Sequence, residues 1–130
     1  MKENLIESDF SHTWVENGII HQVIKPHLKK FDMVVAKALI ADRIKACQPV
    51  EGISIPVILE INNMVTIDKE TREFYSSKEP FTHLSKIAII IDNYVGRLMG
   101  NLVYKINVPP IPMAFFNDKV KAIQWLQKNN

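Results

Sequence analysis

Residues 55–76, IPVILEINNMVTIDKETREFYS, decide how this chain folds. From Ile55 to Ile61 only Pro56 and Glu60 interrupt an apolar run, which is the composition of a strand covered on both faces. Asp68 then opens a short helix from Lys69 to about Ser76. Its carboxylate can accept the orphan backbone N–H groups of the first turn, and Asp68, Glu70 and Glu73 all complement the positive end of the helix. A connector containing Pro80 leads to Lys86-Ile87-Ala88-Ile89-Ile90-Ile91, the most strand-like run in the chain. Two apolar strands joined through a helix predict a parallel pair with a right-handed crossover.

Toward the N-terminus, Asp32 is placed to cap a helix from Met33 to about Cys47, which Pro49 and Gly52 close. Its apolar residues (Met33, Val34, Val35, Ala36, Ala38, Leu39, Ile40, Ala41, Ile44) spread over most of the circumference, interrupted by Lys37, Asp42, Arg43 and Lys45. So wide a band predicts cover on more than one side, by the sheet and by a neighbouring helix or subunit. Before it, Trp14-Val15 and Ile19 to Ile24 flank Glu16-Asn17-Gly18. Asn-Gly between apolar stretches is the strongest short hairpin signal, because both residues tolerate positive φ. Pro26 ends the second strand. Residues 1–12 are polar without a period and read as a loose leader, leaving a single domain over 13–130.

Toward the C-terminus, Asn93 opens a helix to about Ile106, with apolar residues at 95, 98, 99, 102, 103 and 106. Pro109, Pro110 and Pro112 force an extended approach to the strand Met113 to Phe116. Asp118 starts a last helix, expected to turn Val120, Ile123 and Leu126 inward with Trp125 beside them. The order is β-β-α-β-α-β-α-β-α. It predicts an α/β fold with a mixed sheet, an N-terminal hairpin, and helices alternating with mostly parallel strands.

Composition narrows the function classes. The chain has 130 residues, 47% hydrophobic and 23% charged, with a net charge of +2, which fits a folded domain and excludes a disordered one. Basic residues are scattered, with Lys25, Lys29 and Lys30 clustering weakly around Pro26, so no nucleic-acid platform is expected. One cysteine, Cys47, excludes an internal disulfide framework and points to a reducing compartment. No apolar run reaches membrane-span length, and MKENLIESDF has no signal-peptide core, so a cytoplasmic location is expected.

No catalytic constellation emerges. His12, His21, His27 and His83 lack partners at metal or catalytic spacing and read as surface or hydrogen-bonded histidines. Cys47 ends a helix, where the dipole disfavours a thiolate. Phosphate-binding and nucleophile-elbow motifs are missing from the sequence, and no metal, cofactor or catalytic residue is expected. Gly96 and Gly100 sit within a helix and imply close approach by a neighbouring element. Tyr94, Arg97, Asn101 and Tyr104 share the opposite face, an aromatic-plus-arginine composition suited to a partner surface. In parallel α/β sheets, ligands and partners gather at the carboxyl ends of the strands. Those ends are the loop with Asn62, Asn63, Asp68 and Lys69, and Asp92-Asn93 after the next strand. They form the expected binding loop.

Leu59-Glu60-Ile61-Asn62-Asn63-Met64-Val65-Thr66-Ile67-Asp68 and Phe116-Asn117-Asp118-Lys119-Val120-Lys121-Ala122-Ile123-Gln124-Trp125-Leu126, set in this order of elements, resemble the STAS domain. That is the fold of bacterial anti-sigma-factor antagonists, and the similarity is to its STAS-like subgroup, sometimes linked with lipid-binding Sec14 domains. In the antagonists, a serine just after the matching aspartate is phosphorylated, and the phosphate abolishes partner binding. Here Asp68 is followed by Lys69 and Glu70, and Thr71 is the first hydroxyl. The resemblance therefore implies a regulatory or protein-binding module without the serine phospho-switch.

Three readings follow. The first is a non-enzymatic STAS-like module with a protein partner. The second, motivated by the apolar first helix, is a carrier of a small apolar, lipid-like ligand. An enzyme using Asp68, Asp92 or His83 ranks last, and self-association as a homo-oligomer is compatible with each.

Overall fold

A computed structural model of the chain describes residues 2–48, 52–61, 66–91 and 110–128. Eight strands are present among these residues: β1 (Glu3–Glu7), β2 (Ser11–Glu16), β3 (Ile19–Ile24), β4 (Lys30–Phe31), β5 (Ile55–Glu60), β6 (Thr66–Ile67), β7 (Leu84–Ile90) and β8 (Met113–Phe116). Three α-helices accompany them, α1 (Met33–Cys47), α2 (Lys69–Phe74) and α3 (Lys119–Leu126), with one 3-10 turn at Glu79–Phe81. Six strands form one sheet in the order β1-β2-β3-β5-β7-β8, and β4 pairs with β6 apart from it. β1, β2 and β3 are antiparallel neighbours, whereas β3, β5, β7 and β8 run parallel.

Local chemistry accounts for the punctuation. Glu16 pairs with Ile19 across a two-residue turn in which Asn17 has φ 53° and Gly18 φ 75°. Two successive positive φ values define the turn whose twist matches that of the strands. Asp32 accepts the backbone N–H of Val35 at 3.0 Å, Asp68 that of Thr71 at 2.9 Å, and Asp118 that of Val120 at 2.8 Å. All three helices thus begin where an aspartate satisfies an orphan donor.

The strand β5 does face two cores. Val57 and Leu59 join Ile20, Ile24, Ile87 and Ile89 under Val35, Ala36 and Leu39 of α1. On the other face, Ile58 joins Ile19 and Ala88 under Ala122 and Leu126 of α3. Alternation along a pleated strand sends neighbouring residues to opposite faces, so a strand between two layers must be apolar throughout.

Several expectations need correction. The stretch taken for a loose leader contains β1, which pairs with β2 and anchors on α1 through the Asn4 side-chain amide to the Ala46 carbonyl at 3.1 Å. A register shift between Glu3 and Ile6 and the exposed charges of Glu3 and Glu7 make it a blunted sheet edge. In α1 the apolar band is not the buried band. Val34 and Ile44 are 66% and 45% exposed, whereas Asp42 and Arg43 are each 5% exposed. Polar partners draw those two inward: Asp42 accepts the hydroxyls of Ser8 (2.6 Å) and Ser11 (2.9 Å), and Arg43 donates to the Pro80 carbonyl (2.6 Å). Arg43 also lies near Tyr75 and Cys47. In α3, Val120 is 62% exposed, whereas Ala122 and Leu126 are buried with Ile123 and Trp125 half-buried against the same core. Starting the helix from the Asp118 cap puts Val120 about 200° around the axis from Ala122. The small sheet β4–β6 has no counterpart in the sequence reading.

Candidate functional site

The parallel strands β3, β5, β7 and β8 present their carboxyl ends at one edge of the sheet, and the connection after β3 meets the one after β5 there. Lys30 pairs with Thr66 and Phe31 with Ile67, and the Thr66 N–H donates to the Lys29 carbonyl at 3.4 Å. This bridge delivers the head of α2. Asp68 is exposed, yet its side chain is fixed by the Thr71 N–H, and the Arg72 N–H donates to its carbonyl at 3.1 Å. Hydrogen bonding from Thr71 holds the Asp68 carboxyl below its usual range, with Arg72 and Lys30 adding positive charge nearby. The contribution of this cap to stability is therefore present above the ordinary carboxylate pKa and is lost as pH falls through the lowered value. Asp68→Ala is expected to lower the urea midpoint at pH 7 and to have a smaller effect at pH 3. Equal losses at both would count against the cap.

Lys69 points outward. Its side chain is 81% exposed, with its ammonium 3.8 Å from Glu73, one turn along. At such exposure that pair adds little to stability. Thr71, by contrast, is fully buried.

Of the expected binding loop, Asp68 and Lys69 are thus brought to one exposed corner, and Lys29 and Lys30 join them from some forty residues earlier in the chain. Asn62, Asn63, Asp92 and Asn93 lie outside the described residues. So do Tyr94, Arg97, Asn101, Tyr104 and the helix expected from Asn93. The meeting of Lys30 with the head of α2 escaped the sequence reading because a two-residue bridge has no period to detect.

Elsewhere, burial pushes the Cys47 thiol up and the Tyr75 hydroxyl up to about 12, so both stay protonated beside Arg43. A protonated thiol is a poor nucleophile. Among the described residues no group of three or more His, Cys, Asp or Glu side chains could hold a metal ion. No helix among them is long and apolar enough to cross a membrane.

The order of strands and the parallel crossovers define a STAS-like α/β fold, and a solved structure agrees. The chain is similar to a crystal structure of an uncharacterized protein from the DUF3478 family with a SpoIIAA-like fold, from Shewanella loihica PV-4. The two share 13% identity and a TM-score of 0.56, over 97% of this chain and 95% of that one, a likeness of fold. Residues 13–130 match the family described as "Domain of unknown function (DUF7793)", and the chain belongs to that family. No curated relative matches the sequence.

Proposed function

We propose that the protein is a non-enzymatic STAS-like module that binds a protein partner at the strand-end corner around Asp68 and Lys69, without a serine phospho-switch. The observation that supports this most is the pairing of an exposed Lys69 with a fully buried Thr71 at the head of α2. A surface is offered at the place where partners gather in such sheets, and the phosphorylatable position of the antagonists is occupied by an ammonium. This reading assigns no catalytic residue and no cofactor. The carrier reading, which rests on the apolar first helix, has less support: Val34 and Ile44 lie on the outside of α1, and its inner side is given partly to Asp42 and Arg43.

Lys69→Glu is expected to abolish capture of a specific protein from source lysate, while Lys45→Glu, on the exposed side of α1, retains it. Both variants should remain folded, with a single cooperative unfolding transition. Identical captured proteins for all three would remove this corner from consideration. A lipid retained through purification, seen by native mass spectrometry, would favour the carrier instead.

A further inference from the structure

On the sheet face covered by α3, Trp14 of β2 and His21 of β3 stand opposite each other. Their rings stack with centroids 5.2 Å apart and planes within 7°. Both are buried, at 6% and 5% exposure. The Trp14 indole N–H donates to Glu16 at 3.1 Å, and Glu60 faces the Lys119 ammonium at 3.4 Å. The ammonium groups of Lys2 and Lys119 lie 4.1 and 5.6 Å from the centre of the indole. The Nδ1 atom of His21 is buried with no hydrogen-bond partner among the described residues.

We propose that the Trp14–His21 stack is an acid-sensitive latch. While His21 is neutral, the indole holds Lys2 and Lys119 and so ties the start of the chain and the first turn of α3 to the sheet. A proton on His21 opens this corner.

The reason is where the proton must go. An imidazolium has two N–H donors, and each needs an acceptor when buried. Nδ1 is the nitrogen without a partner among the described residues. The charged groups facing the ring are Glu16 from β2, Glu60 from β5 and Lys119 from α3, with Lys2 across the indole. Glu16 accepts from Trp14 and Glu60 faces Lys119, and neither carboxylate is hydrogen-bonded to Nδ1. The charge would also appear beside Lys119.

Burial, then Lys119, holds the His21 pKa below its ordinary value, outweighing Glu16 and Glu60. Above that ordinary value the ring is neutral whether the corner is closed or open, and the latch has full strength. As pH falls below it, only the open form takes up the proton. Strength is lost until the lowered pKa of the closed form is reached, by up to about tenfold in the closed-to-open ratio per pH unit.

An NMR titration of the full chain, with amide-exchange protection factors measured from about pH 7.5 to 5, tests this. His21 should titrate below the ordinary histidine range, and protection of β2 and of the head of α3 should fall as the pH drops. In His21→Phe, which keeps a ring against Trp14 and cannot titrate, that pH dependence should vanish. Should His21→Phe not fold, Lys119→Gln removes the neighbouring cation and should move the His21 midpoint upward. A His21 midpoint at or above the ordinary range, an unmoved midpoint in Lys119→Gln, or equal pH dependence in wild type and His21→Phe would overturn the latch.

Discussion

Replacing Asp42 with alanine is expected to destabilise the protein by about 2–4 kcal/mol, since hydrogen bonds to a charged group contribute about 1.5–3 kcal/mol each and their loss strands buried partners. One oxygen of this carboxylate accepts from Ser8 at 2.6 Å and from Ser11 at 2.9 Å. Ser11 continues the chain to Thr13 at 3.0 Å, and the Gln22 amide donates to Thr13 at 3.1 Å and to the Leu39 carbonyl of α1 at 2.9 Å. Ser11, Thr13, Gln22 and Asp42 are all buried, so the hydroxyls lose a charged acceptor where bulk water is scarce. The network also spans elements: it fastens the β1–β2 turn, where Ser8 accepts from the backbone of Phe10 and Ser11, onto the middle of α1. Loss of Asp42 should therefore raise amide exchange first in β1 and at the start of β2. Asp42→Asn keeps one carbonyl acceptor and should lose clearly less than alanine. A urea-denaturation difference below about 0.5 kcal/mol for the alanine variant, the size typical of neutral surface changes, would show that the network is dispensable.

Ile58→Ala is expected to lose about 3–5 kcal/mol, in the upper part of the range for truncating a buried isoleucine. Ile58 is 1% exposed and sits in the central parallel strand, paired with His21 on one side and Ala88 on the other. Its companions on this face include Ala88 and Ala122, small residues that cannot swing into the space left behind. Val120→Ala provides the contrast. Val120 lies on the same helix as Ala122 but is 62% exposed, and alanine is the better helix former, so the change should stay within about 0.5 kcal/mol. Thermal and urea unfolding of both variants measures the difference, and comparable losses would mean that α3 is rotated from the phase described.

The elements were legible because each rests on a local signal. Asn17-Gly18 can form the tight primed turn, Asp32, Asp68 and Asp118 each lie at a helix start, and the run from Ile87 to Ile91 suits a strand buried on both sides. The failures share a cause as well. β1 is polar and irregular because it lies at an edge, so no apolar alternation announces it. Val34, Ile44 and Val120 face outward because helix phase is set by the caps and by the partners available across the interface, which hydrophobicity alone does not encode. The candidate corner was half legible: Asp68 and Lys69 followed from the cap and its neighbour, whereas Lys29 and Lys30 arrive through β4–β6.

By itself the sequence determined the hairpin, the helix starts at Asp32, Asp68 and Asp118, and the parallel course of the later strands, since backbone dihedral preference, capping and hydrophobic period act within a few residues. Which side of α1 turns inward, the stacking of Trp14 on His21, and the meeting of Lys30 with the head of α2 were decided only by tertiary structure. Those depend on the burial of hydroxyls, rings and charges against groups far away along the chain, where a polar side chain moves inside only if its partner is already there.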